Sequence, residues 1–158
     1  MATSSVLSGL PADILETFCG VGNPLALGPV HAGEKVLDVG CGAGLDMILA
    51  SQLVGPSGSV CGIDLTHEMV DKAGADLAHV AAGNGSVALA SSEAIPYHDD
   101  TFDVVISNGV LNLSPSKEQS LREFFRVLKP AGRLEFADII LNQDLPQDVA
   151  NSLDAWSD

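Results

Sequence analysis

Three glycines within five residues, Gly40-Cys41-Gly42-Ala43-Gly44, follow the apolar run from Lys35 to Val39. Glycines at that spacing after a buried strand let backbone approach a ligand closely, and the helix beyond them offers unpaired amides. Asp38, two residues before the first glycine, indicates the charge of that ligand. A pyrophosphate resting on such a turn would be repelled by a carboxylate, and dinucleotide folds carry GxGxxG, not the GxGxG found here. An ammonium or a sulfonium would be attracted. The stretch therefore favours a cationic small molecule over a nicotinamide dinucleotide.

Asp64 closes a second apolar run, twenty residues beyond Gly44, where a carboxylate can accept both hydroxyls of a ribose. Leu65 and Met69 beside it are placed to flank an adenine. A ligand with adenosine at one end and two positive charges at the other is S-adenosyl-L-methionine (SAM), whose own carboxylate can use helix amides. Asn108 ends a later apolar run. With Gly109, Val110 and Leu111 it is expected to line the methionine end of the pocket, at the strand edge where an acceptor enters. The four histidines suggest no general base, and the three cysteines, Cys19, Cys41 and Cys61, lack the clustering of a metal site.

The elements that would hold these residues alternate. Strand-like runs occupy 35–40, 59–64, 85–92, 102–108 and 133–140. Between them lie helical stripes: Leu45, Ile48, Leu49 and Leu53, stopped by Gly55–Gly58; then Met69, Val70, Ala73, Leu77 and Val80 after a Thr66 cap. A third helix opens at Ser114 and Pro115, carries Leu121, Phe124, Phe125 and Leu128, and ends at Pro130. Further helices are expected around Asp13–Phe18 and from Pro146, the latter with Val149, Ala150, Leu153 and Trp156. Such alternation implies an α/β, Rossmann-like three-layer sandwich around a mostly parallel sheet of five strands, with ligands at the carboxyl ends where strand order reverses.

Composition narrows the partners. The 158 residues carry seven basic and twenty-one acidic side chains, a formal net charge of −14, which disfavours nucleic acid and anionic membranes. No apolar run is long enough to span a bilayer, the N-terminus lacks a signal-peptide pattern, and the sparse cysteines fit a reducing, cytoplasmic setting.

Taken in order, the glycine turn, Asp64 and the stretch "SSEAIPYHDDTFDVVISN" resemble the class I SAM-dependent methyltransferases over roughly residues 33 to 140. "GVGNP" at 20–24 and "SNGVLNLSPSKEQSLREFFRVLKPAGRLEFADI" from Ser107 are similar to the arsenite methyltransferases and their relatives. That resemblance implies that Ser91, Ser92 and Glu93 occupy the loop facing the adenine amino group, and that the loop of Asn23 closes over the cofactor. It also implies arsenic-binding cysteines at two positions that here are Val21 and Gly109. Those residues supply no thiolate, and a soft metalloid needs soft sulfur.

The expectation is one domain over 1–158 that transfers methyl from SAM to a small-molecule acceptor, with arsenite methylation or a SAM-binding or assembly module without catalysis as alternatives. The family continues past the point where this chain stops, and its later part supplies two more strands and more substrate wall. A bare fifth strand at the rim is accordingly expected to pair with a second copy, as a homodimer.

Overall fold

The structure is a computed structural model that describes Ile14, residues 20–80 and residues 82–139. Except for Ile14, the helices expected around Asp13–Phe18 and from Pro146 to Trp156 lie outside the described residues. Five strands are described, β1 (Lys35–Val39), β2 (Ser59–Asp64), β3 (Gly85–Leu89), β4 (Phe102–Asn108) and β5 (Leu128–Ala137). Three helices connect them, α1 (Leu45–Val54), α2 (His67–His79) and α3 (Lys117–Val127). The sheet order is β3-β2-β1-β4-β5, and every pairing is parallel. The chain thus winds outward from β1 in one direction, returns, and winds outward in the other. The reversal falls between β1 and β4.

β1 is buried on both faces because helices cover both. Val36 joins Met47, Ile48, Val60 and Ala73 in one apolar cluster, while Leu37 and Val39 join Ile63, Phe102, Val105 and Phe124 in the other. The two-residue alternation of a strand puts Asp38 on the face of Val36, toward α1. α1 is wrapped almost completely, with Leu45 through Ser51 and Val54 all buried. α3 lies at the surface and buries a single stripe of Ser120, Phe124 and Val127.

Several boundaries differ from expectation, each for a local reason. β3 stops at Leu89, three residues early, because Ala90 N–H bonds back to Asp64 O and the chain then turns. α3 starts at Lys117, after a turn in which Ser116 N–H bonds to Ser114 Oγ. It ends before Pro130 is reached: Leu128 already pairs with Phe102, so β5 begins at the helix end and finishes at Ala137. Lys129–Gly132 bulge from that strand, with Ala131 at a φ of +65°. Leu53 and Phe125, assigned to buried stripes, are exposed.

Phe124 has no exposed surface and packs in the cluster of Phe102. Phe124→Ala is expected to cost about 3–5 kcal/mol through lost burial and the cavity left behind. Urea unfolding should show a lower midpoint with an unchanged slope.

Candidate functional site

At the end of β1 the chain turns through Gly40 with φ +73°, and a side chain there would overlap Val110 from the β4 side. Gly44, at φ +90°, begins α1 against α2, where an added Cβ would sit 3.2 Å from the Ala73 Cβ. Both positions need glycine for conformation and for space. The amides of Gly40 and Cys41 donate to Ile63 O at 2.8 and 3.0 Å, so the turn hangs on the end of β2.

Asp64 fixes the rest of the turn. Its Oδ2 accepts from Gly42 N–H at 3.0 Å, and its Oδ1 accepts from the Thr66 amide at 3.0 Å and hydroxyl at 3.2 Å. Thr66 in turn caps α2 by accepting from Met69 N–H. One carboxylate thereby joins the glycine turn, β2 and α2, while retaining lone pairs for further donors.

Above the switch point lies a cleft of about 180 Å³. Asp38, Gly40, Cys41, Gly42 and Gly44 line it from the β1 side, and Asn108, Gly109 and Val110 from the β4 side. Met69 reaches it from α2, and Gly20 and Ile14 approach from the N-terminal segment. Nine of the residues singled out in the sequence therefore converge on one cavity. The others do not line it, among them Leu111, which packs against the cluster of Phe102 instead. Asp64 supports the turn, and Leu65 is exposed at 68%. Ser91, Ser92 and Glu93 belong to a separate polar cluster: Ser91 and Ser114 hydroxyls donate to Glu93, and Ser92 bonds to buried Ser120 at 2.8 Å.

Sequence reasoning missed Asp46, the second residue of α1, which is 7% exposed and lines the cleft. Asn108 Nδ2 donates to Asp46 Oδ2 at 2.9 Å and to Gly22 O at 2.9 Å, while Asn108 Oδ1 accepts from the amides of Val21 and Gly22. The available signal was an acid inside the first turn of a helix whose other residues are apolar but for Ser51 and Gln52.

The cleft is acidic. Asp38 is 2% exposed and its Oδ2 has no hydrogen-bond partner. Burial, with the neighbouring charges of Asp46 and Asp64, pushes its carboxyl well above the usual range. Burial also raises Asp46, against the Asn108 hydrogen bond, which lowers it. Cys41, raised by burial and then by Asp38 and Asp64, is held as a thiol and is a poor nucleophile or metal ligand. Among the described residues no three His, Cys, Asp or Glu side chains are grouped to hold a metal ion. What this arrangement favours is a cation brought in by a ligand.

An open parallel sheet with its ligand cleft at the strand reversal, a glycine turn and buried acids in place of a phosphate cradle defines a Rossmann-like binding domain for a cationic nucleoside. A family profile described as a methyltransferase domain matches residues 30–157. An arsenite methyltransferase of Halobacterium salinarum is 42% identical over 138 residues, 87% of this chain and 35% of that protein. A ubiquinone/menaquinone biosynthesis C-methyltransferase of Pasteurella multocida is 42% identical over 118 residues, 72% of this chain and 44% of that protein. The crystal structure of an arsenic(III) SAM methyltransferase from Chlamydomonas reinhardtii superimposes with a TM-score of 0.84 at 36% identity, covering 94% of this chain and 52% of that one. The chain belongs to the class I SAM-dependent methyltransferases and resembles their arsenite methyltransferase branch. It spans less than half the length of these two curated relatives.

The site fits the cofactor of that class, because the orphaned oxygen of Asp38 is an acceptor waiting for a cationic donor. The same group makes the empty fold pH-dependent. A carboxyl raised by folding adds stability below its unfolded pKa of about 3.9, and that contribution is lost as pH rises toward the folded value. Asp38→Asn should remove the loss. Urea midpoints measured from pH 4 to 8 without ligand should fall with pH more steeply in the wild type than in the variant.

Proposed function

We propose that this domain binds SAM in the cleft between β1 and β4 and passes its methyl group to a small organic acceptor. The observation carrying this reading is the buried, unpartnered carboxylate of Asp38 at the foot of a glycine turn. When bound, SAM supplies an electrophilic methyl: the carbon–sulfur bond breaks with its electron pair left on sulfur, and the acceptor forms its bond to carbon and sheds a proton to solvent.

In this reading Asp38 meets the ammonium, and Asp64 accepts the ribose hydroxyls with its spare lone pairs. Leu65 and Met69 flank the adenine, Ser91 and Ser92 meet its amino group beside Glu93, and Asn108, Gly109 and Val110 line the methionine end. The protein's work is positioning in a water-poor cleft. Among the described residues no histidine lines it, which suits an acceptor that attacks with its own lone pair. Arsenite is disfavoured as that acceptor, because Val21 and Gly109 offer no sulfur.

The reading extends to residues 1–158 as one methyltransferase domain in the cytoplasm. The free thiols of Cys41 and Cys61 suit that compartment, and among the described residues no helix is long and apolar enough to cross a membrane. It also puts a second copy along β5, one of the two edges of the described sheet, where Phe136 is 42% exposed. Light scattering that finds only monomer at high concentration would remove the dimer.

Calorimetry should show SAM binding and no NADH binding, with proton release to the buffer as Asp38 ionises against the ammonium. Asp64→Ala should weaken SAM by about 1–3 kcal/mol through lost ribose hydrogen bonds. Methyl-labelled SAM should turn over with members of a panel of thiols and small organic nucleophiles. Binding without turnover on any of them would favour a non-catalytic SAM module, and a preference for NADH would overturn the reading.

A further inference from the structure

The cleft holds two buried carboxylates on different walls. Asp38 forms part of the floor, on the face of β1 toward α1, with one oxygen unpartnered. Asp46 stands on α1 beside the β4 wall, and its Oδ2 is held sideways by Asn108, not by a helix amide. Asn108 has no freedom to release it. Both of its N–H groups are used, on Asp46 and on Gly22 O, and its carbonyl accepts two amides, from Val21 and Gly22. Rotating Asp46 away would break one of the four bonds of a half-buried amide, so a saturated side chain sets its direction.

The two flanks of the cleft are not alike. On the β2 side Asp64, Thr66 and the α2 cap close the space with hydrogen bonds. On the β4 side the wall is made of Asp46, Asn108, Gly109 and Val110, with the Val21 and Gly22 amides bonded to Asn108 behind it, and we take this strand edge as the acceptor side. The reacting sulfur has to face that side. SAM brings two positive charges, one permanent on its amino acid end and one on sulfur that disappears when the methyl leaves. Two acids at two places match two cations of different fate.

We propose that Asp46, aimed by Asn108, is the specificity-determining carboxylate that faces the sulfonium, so the cleft distinguishes SAM from its demethylated product, S-adenosylhomocysteine. Asp38 faces the ammonium that both ligands share. The inference rests on the SAM reading above and adds to it a division of labour between the acids. Loss of the sulfonium charge removes the partner of Asp46, so the product lacks an attraction that the substrate has.

The test is direct titration by calorimetry with three ligands: SAM, S-adenosylhomocysteine, and sinefungin, whose amine-bearing carbon keeps a positive charge where the sulfonium stood. Asp46→Asn keeps the side-chain size and an oxygen to accept from Asn108. It should weaken SAM and sinefungin about tenfold each, a loss of about 1.4 kcal/mol, while S-adenosylhomocysteine changes by less than about twofold. Asp38→Asn should weaken all three alike. Asp46→Glu, which restores the charge, should recover part of the preference for the two cationic ligands. A uniform loss across the three ligands in Asp46→Asn, at an unchanged melting temperature, would reduce Asp46 to a structural role and overturn the inference while leaving SAM binding intact. A wild type that binds none of the three would instead overturn the SAM reading, and this inference with it.

Discussion

An ionised carboxylate taken out of water without a partner is among the least favourable things a core can contain. β1 is the central strand of this sheet, wrapped by apolar side chains on both faces, and Asp38 occupies one of its inward positions. It sits at the carboxyl end of a strand, where the connections from two neighbouring parallel strands leave for opposite faces of the sheet and the helices part. There the cost can be met by protonation in the empty protein or by a cation in the occupied one. Much of the surrounding architecture follows from keeping both options open. The glycines keep side chains out of the space, Asp64 holds the turn from behind, and Met69 and Val110 add apolar lining.

The two halves of the cleft come from chain segments some seventy residues apart, and their relative placement rests on a few named bonds. Asp38 pairs with Ile106 in the parallel register, and one step further on the buried hydroxyl of Ser107 donates to Val39 O at 3.1 Å. Beyond that stitch the strands diverge, β1 into Gly40 and β4 into Asn108. Gly40 then receives Val110, so the walls meet again across the turn. Asn108 adds a third element by gripping residues 21 and 22, more than eighty positions earlier in the chain. The cleft is a rigid junction of three backbone segments, consistent with a task that consists of holding reactants in line.

The legible parts of this molecule were those set by local periodicity. Parallel topology followed from strand and helix alternation, and the binding turn from three glycines with an acid before them, because each is a short-range pattern with a direct backbone cause. The illegible parts were set by tertiary neighbours. Phe125 stood in an apolar stripe yet is exposed, since α3 packs through one narrow face and a second aromatic has nothing to cover it. Leu128 and the Pro130 region looked like a helix end, but pairing with Phe102 draws them into β5. Asp46 looked like an ordinary first-turn acid. Its burial and its bond to Asn108 arise from a residue sixty-two positions away, which no window of sequence contains.

The same junction bears on which acceptor the cleft can take. The resemblance assigns arsenic-binding cysteines to positions 21 and 109, and both positions flank one side chain: Val21 N–H bonds to Asn108 Oδ1, and Gly109 follows Asn108 in the chain. Two thiols there would stand together beside Asn108. This chain puts an isopropyl group and a hydrogen atom on that wall instead. Gly109, at φ +72°, even occupies backbone space that an ordinary side chain enters only with strain. Cys41 offers no substitute, because its thiol is buried under two carboxylates that oppose its ionisation. A wall of this kind has no electron-rich anchor for a soft metalloid, but it leaves shape and apolar contact to hold an acceptor that brings its own nucleophile. The cleft and the ligands for arsenic are therefore separable features of this fold: Asp38, the glycine turn and Asn108 shape the first, while positions 21 and 109, which flank Asn108, carry no sulfur for the second.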